Sequence, residues 1–183
     1  MNTIVVARRH EPVDWLNRLP AEWEPLVVQK DVDVANDGRE ATSFLWALAR
    51  LRPQLALRAN VAFVQGDPFP HTADLVSQLG RPFAGGFRWL GDPEHTTERD
   101  GSPHHPGLPV ERCLRSWFGR EWDGTVLFAA GGQFIVTGRA IRQKPARFYR
   151  DLAVKVAAEP DGAWVMERLW GEMFGWRPPV EAH

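Results

Sequence analysis

Asp67 follows the apolar run Asn60-Val-Ala-Phe-Val-Gln65, beside Gly66 and ahead of Pro68. The proline biases Asp67 toward an extended backbone, and the glycine lets a ligand approach the main chain. A carboxylate held in this way suits a hard cation such as Mg2+ or Mn2+, which takes one or two carboxylates plus substrate phosphates. His71, four residues on, adds a nitrogen that manganese accepts. The competing role for Asp67 is to cap the turn or helix that follows. Arg8 and Arg9 stand just past a second apolar run, Thr3–Ala7. A guanidinium fork there can grip a phosphate or diphosphate, or simply sit in solvent.

Other titratable groups are weaker candidates. Glu11 has the place of a first-turn helix acid. Glu167 lies in a helical segment whose other face is apolar (Trp164, Val165, Leu169, Trp170), so it is either a general base reaching into a cleft or a solvated helix glutamate. His95, His104 and His105, with Asp92 and Glu94, fall in irregular text, and their spacing matches no zinc motif. A solvated loop is the plainer reading. Cys113 has no histidine nearby in sequence and reads as a structural thiol. The glycine-rich signatures of P-loop and dinucleotide-binding proteins, the nucleophile elbow of α/β-hydrolases and the His-Glu-x-x-His of zincins are all absent.

The elements that must position these residues follow from periodicity. Thr3–Ala7, Pro25–Lys30 and Asn60–Gln65 read as strands. Helices are expected from Glu11 to before Pro20, over Arg39–Leu51 with Ala41, Phe44, Leu45 and Leu48 on one face, and over His71–Leu79. This β-α-β-α-β-α order favours a mostly parallel sheet with helices on its faces. Ligands of such sheets bind beyond the carboxyl ends of the strands, where Arg8-Arg9-His10-Glu11 and Gln65-Gly66-Asp67 would converge. Residues 85–109 show no period and read as a long irregular loop. Val126–Ala130 and Gln133–Thr137 read as a strand pair around Gly131-Gly132. Lys144–Ala158 and Ala163–Phe174 read as helices, the last closed by Gly175 and Pro178-Pro179.

Composition sets the outer bounds. The chain has 183 residues, 44% hydrophobic and 25% charged, and a net charge of -1. Those values fit one domain, and with the β-α-β-α-β-α order the expectation is a single α/β domain over 1–183, in three layers around a mostly parallel, mixed sheet. The charge balance gives no overall pull toward nucleic acid or an anionic membrane, and leaves room for a local basic patch. A single cysteine excludes an intrachain disulfide. No apolar run reaches the roughly 20 residues that span a bilayer, so the expected location is cytoplasmic. Nine tryptophans against one tyrosine serve either the core or a ligand platform.

Five segments form an ordered set: Val5-Val-Ala-Arg-Arg-His-Glu11 with Trp15-Leu16, Asn36-Asp-Gly-Arg-Glu-Ala41, Phe63-Val-Gln-Gly-Asp-Pro-Phe-Pro-His71, Gly131-Gly-Gln-Phe-Ile-Val-Thr137 and Glu167-Arg-Leu-Trp170. Together they resemble a family of bacterial and fungal proteins classed as a domain of unknown function, over most of the chain except 85–109. That family is in turn similar, more loosely, to nucleotide-sugar glycosyltransferases of the A-type fold. The resemblance implies a glycosyltransferase-A-like fold, a nucleotide-diphosphate sugar donor and an acceptor hydroxyl on a glycan, small molecule or polymer. Donor contacts would come from Ala7, Arg8, Arg9, Glu11, Gly38, Arg39, Gln65, Gly132 and Gln133. Glu167 would be the catalytic base, and Asp67 with His71 would hold Mn2+ or Mg2+. The chain departs from the Asp-x-Asp metal motif of those enzymes, since Gln65-Gly66-Asp67 keeps only the second carboxylate. The alternatives are a non-catalytic sugar- or nucleotide-binding module of the same fold, and a metal-dependent hydrolase.

Overall fold

A computed structural model describes residues 1–91 and 95–176. Asp92, Glu94 and the Pro178-Pro179 stop lie outside the described residues. Five strands form the main sheet in the order β2-β1-β3-β7-β4. These are β1 (Asn2–Arg8), β2 (Trp23–Gln29), β3 (Asn60–Gln65), β4 (Phe87–Trp89) and β7 (Phe134–Thr137). β1 pairs in parallel with both β2 and β3, while β7 runs antiparallel to β3 and to β4. The sheet is therefore mixed, with β7 the reversed strand.

Both faces of this sheet are covered, which is why β1 is apolar at consecutive positions rather than alternate ones. Val5, Ala7, Val61, Phe63, Phe134 and Val136 point into one apolar cluster. Helices α1 (Arg39–Leu51), α3 (Val110–Phe118), α5 (Ala146–Ala158) and α6 (Gly162–Met173) cover that side. Ile4, Val6, Ala62, Val64 and Ile135 point the other way, onto Trp15 and onto Leu75 and Leu79 of the short α2 (Leu75–Leu79). Phe44 of α1 is fully buried against Phe63, Phe134 and Trp170. Removing such a ring costs about 3–5 kcal/mol. Trp15, Trp23, Trp89, Trp117 and Trp170 are buried, so the tryptophans serve mainly the core.

Four expectations are corrected. The segment after Glu11 forms only a 3-10 turn, Asp14–Arg18, in which the N–H groups of Leu16 and Leu19 donate three residues back to the carbonyls of Val13 and Leu16. The Glu11 carboxylate accepts from the N–H groups of Arg9 and His10 instead of capping a helix. The helix expected from His71 begins at Leu75. The Pro68 carbonyl accepts from the N–H groups of both His71 and Thr72, which holds the preceding residues in a turn. Residues 85–109 are not irregular throughout, for they carry β4 and β5 (His95–Thr97). Finally, β6 (Val126–Phe128) and β7 do not pair with each other. Both edges of β7 are taken by β3 and β4, so β6 pairs antiparallel with β5 in a separate ribbon. Two helices were not anticipated, α3 and the short α4 (Gly138–Arg142).

Candidate functional site

The parallel strands β1 and β3 end side by side, with Ala7 in register with Gln65. Gly66 allows the next residues to pack closely. A Cβ there would lie 2.9 Å from the Glu11 carboxylate and 3.0 Å from the Arg8 Cβ. Two clefts open at this edge. One, of about 370 Å³, is lined by Ala7, Arg9, Glu11, Gln65 and Asp67, among others. The second, of about 220 Å³, is lined by His71, His105, Phe128, Gly131, Trp164 and Glu167, among others. Arg39, Glu40 and Gln65 line both, so the two clefts form one trough.

In the first cleft the Glu11 carboxylate accepts from the N–H of Arg9 at 2.5 Å and of His10 at 3.1 Å. Partial burial pushes its proton affinity up, but these N–H groups and Lys30 outweigh that and hold the carboxyl below its usual range. Arg9 pairs with Asp31 at 2.9 Å. The N-terminus of α1 opens here. Gly38 is its N-cap and no side chain caps the helix. Arg39, the first helical residue, has φ +52, a conformation that costs a non-glycine residue about 1 kcal/mol or more.

The second cleft is built around Glu167, which α6 buries to 8% exposure. Its Oε1 accepts from the N–H of Gly131 at 2.6 Å, and its Oε2 accepts from Arg168 at 3.0 Å. Burial raises the Glu167 carboxyl above its usual range, with Arg168 and the Gly131 N–H opposing. Burial draws the Arg168 guanidinium down and Glu167 draws it back up. Arg168 also donates to the Trp164 carbonyl, lies over the Phe128 ring at 4.6 Å and reaches His105 Nδ1 at 2.7 Å. His105 rests on Trp164 with ring centroids 4.8 Å apart, and Arg39 covers Trp164 at 4.6 Å. The chain of contacts Arg39–Trp164–His105–Arg168–Glu167–Gly131 thus runs along the trough.

Gln65, Asp67, His71, Arg9, Glu11, Arg39, Ala7 and Glu167 all line the trough. Arg8 sits beneath it beside Gly66, with its Nε buried and without a hydrogen-bond partner. Gly38 is buried at the start of α1, and Gly132 is buried behind Glu167. Gln133 lines neither cleft and acts as an internal tie. It is fully buried, it donates to the Pro68 carbonyl and the Thr72 hydroxyl at 3.0 Å each, and its Oε1 accepts from the Gln65 N–H at 3.3 Å. Sequence reasoning missed Glu40 and the buried Arg168. The signal for Arg168 was a helix apolar on nearly all sides, whose charged residues must pair with each other. The loop histidines His95, His104 and His105 line the second cleft; His104 and His105 are exposed, as the solvated reading expects, and His95 is half-buried.

Among the described residues no group of three or more His, Cys, Asp or Glu side chains is placed to hold a metal ion. Asp67 lines the first cleft and His71 the second. With so few side-chain donors, these residues fit the mode in which substrate phosphates supply most of a cation's ligands. No protein-family model matches this chain, and neither curated proteins nor solved structures gave a match.

Proposed function

We propose that the protein is a glycosyltransferase-like enzyme of glycosyltransferase-A-like architecture, which takes a nucleotide-diphosphate sugar along the trough and passes the sugar to an acceptor hydroxyl. The observation that carries this reading is the continuity of the two clefts. An uncapped helix N-terminus lies at one end and a buried, charge-paired carboxylate at the other. The N-terminus of α1 supplies free N–H groups and a positive dipole end, which suit a phosphate. Arg9, Lys30 and Arg39 alternate there with Glu11, Glu40 and Asp67. That mixture suits a ligand carrying both phosphate oxygens and sugar hydroxyls.

In the transfer the acceptor oxygen bonds to the anomeric carbon as the bond from that carbon to the diphosphate breaks. The electron pair leaves with the nucleoside diphosphate, and the acceptor proton passes to Glu167. Burial raises the proton affinity of Glu167, while Arg168 and the Gly131 N–H fix its orientation. Charge growing on the leaving phosphate meets the α1 N-terminus and Arg39. A divalent cation, where the donor brings one, would neutralise phosphate charge beside Asp67.

The binding-module reading is favoured by one specific observation: both Glu167 oxygens already accept hydrogen bonds from the protein. Thermal-shift and calorimetric titration with UDP-, GDP-, CMP- and dTDP-sugars, with and without Mn2+, tests the donor site. A donor at 100 times its Kd adds about 2.7 kcal/mol of stability. The expected result is stabilisation by one nucleotide class, weakened by Asp67→Ala, with slow donor hydrolysis that Glu167→Gln abolishes. Binding without turnover in the presence of varied acceptors assigns the module instead. No binding at millimolar concentration overturns both.

A further inference from the structure

The net charge of -1 conceals a strong asymmetry. Residues 41–66 contain no Asp or Glu and carry Arg50, Arg52 and Arg58. Residues 124–150 likewise contain none and carry Arg139, Arg142, Lys144, Arg147 and Arg150. These eight account for eight of the 22 Lys and Arg residues, which leaves fourteen cations against 23 carboxylates on the rest of the chain. Tertiary structure brings the two stretches together. Arg52 donates to the carbonyls of Lys144 and Arg142, Arg142 donates to that of Leu55, and the Arg139 N–H donates to that of Leu57. Among the described residues none of the eight lies within ion-pair distance of a carboxylate, whereas Arg9, Arg81, Arg99, Arg112, Arg115 and Arg120 on other surfaces all do. Asp151, next to Arg150, and Asp37, in the groove that Arg150 lines, mark the margin of the face.

This face lies at the end of the sheet opposite the trough. Asn60, at the start of β3, pairs with Thr137 at the end of β7, so Arg58 and Arg139 leave the sheet together there. Gln65, at the other end of β3, lines the clefts. The 13-residue α1 spans the distance of about 20 Å, from Arg39 at the trough to Arg50 near the basic end. A polar recess of about 420 Å³ opens between Arg58 and Arg139 over the backbone of Gly85 and Gly86, and Leu57 also lines it. Leu57 (49% exposed) is one of the four exposed large apolar side chains among the described residues.

We propose that this basic face docks the protein on an anionic phospholipid surface, with the trough held on the side away from the bilayer. Cations next to an anionic leaflet each add about fivefold to binding, and isolated apolar side chains among them enter the interfacial layer. Nucleic acid is the less fitting partner. Single strands need open aromatic platforms, and the rings here, Trp46, Phe83 and Phe148, are covered by Arg50, Arg88 and Lys144. The docking does not depend on what the trough binds.

Flotation with vesicles tests it. The whole chain should float with phosphatidylcholine vesicles containing about one-third phosphatidylserine at about 0.1 M salt, and release at about 0.5 M as screening shortens. Pure phosphatidylcholine vesicles should not carry it. The quadruple variant Arg58→Gln/Arg139→Gln/Arg147→Gln/Arg150→Gln should bind more than about a hundredfold more weakly with an unchanged melting temperature. The matching Arg→Lys variant keeps the charge and should still float. No flotation, equal binding to neutral vesicles or full binding by the Gln variant overturns the proposal. So does tighter binding of a single-stranded oligonucleotide than of the anionic vesicles.

Discussion

Arg168 reaches Nδ1 of His105 at 2.7 Å. A guanidinium has only donors, so a hydrogen bond here requires Nδ1 to accept, which assigns the ring N–H of this contact to Nε2. A residue of the 85–109 segment thereby steadies the cation that steadies Glu167.

His105→Asn should preserve the contact through Oδ1, whereas His105→Phe should keep the ring on Trp164 but lose the acceptor. Because His105 itself is exposed, the difference is about 1 kcal/mol, read by urea denaturation. Nitrogen NMR of the imidazole should report the Nε2–H tautomer. An Nδ1–H tautomer would refute the assignment.

Glu167→Gln leaves Arg168 buried at 1% exposure without its charge partner, and stability should fall by about 3 kcal/mol. The double variant Glu167→Gln/Arg168→Met should be more stable than the single one, since no unpaired ion remains. The cost of Glu167→Gln should also grow on acidification, because only the wild-type protein gains stability from binding this proton. The Glu167 pKa in the folded protein is raised above the ordinary 4.5, so the folded state binds this proton more tightly. The stability tied to this proton is complete below about 4.5, the ordinary glutamate value, and is lost as pH rises through the folded value. Denaturation of both proteins across the acid range gives the slope. An opposite slope would mean that Arg168 outweighs burial.

Gly131 has φ +79, and a Cβ there would lie 2.6–2.7 Å from the His71 ring. Gly119 has φ +65 with nothing within 4 Å. Gly119→Ala should therefore cost only the left-handed strain, about 1–2 kcal/mol. Gly131→Ala adds the displacement of His71 and of the N–H that Glu167 accepts from. Its melting temperature should fall clearly further, and nucleotide-sugar binding should weaken with it. Equal losses would show that His71 moves freely.

Burial, helped by Glu159, pushes the Cys113 thiol up to about 11. Alkylation by iodoacetamide near neutral pH should be negligible in the folded protein and rapid in denaturant. Rapid labelling of the native protein would mean that α3 opens readily.

Local pattern was enough for β1, α1 and β3, because each is short-range. Consecutive apolar residues mark a strand buried on both faces, Ala41, Phe44, Leu45 and Leu48 mark one helix face, and Pro53 and Gly66 lie close beyond the ends of α1 and β3. The same pattern carried α5 and α6. It also spaced Val110, Cys113, Leu114 and Trp117 of α3 along one face, a signal overlooked between less regular neighbours.

The sequence by itself determined an α/β chain whose first and third strands end in polar, ligand-competent text, with Asp67, Glu11 and Gln65 at those ends. Only the tertiary structure decided the partners. It sent β6 to β5 because β7 had both edges filled, and it turned Gln133 inward to three internal hydrogen bonds. It also brought His105 from one segment onto Arg168 of another, and two acid-free stretches onto a single face. Hydrophobic period is written in neighbouring residues and needs no long-range knowledge. Strand pairing, the burial of an ion pair and the summing of surface charge depend on which distant segments meet, and nothing local encodes that.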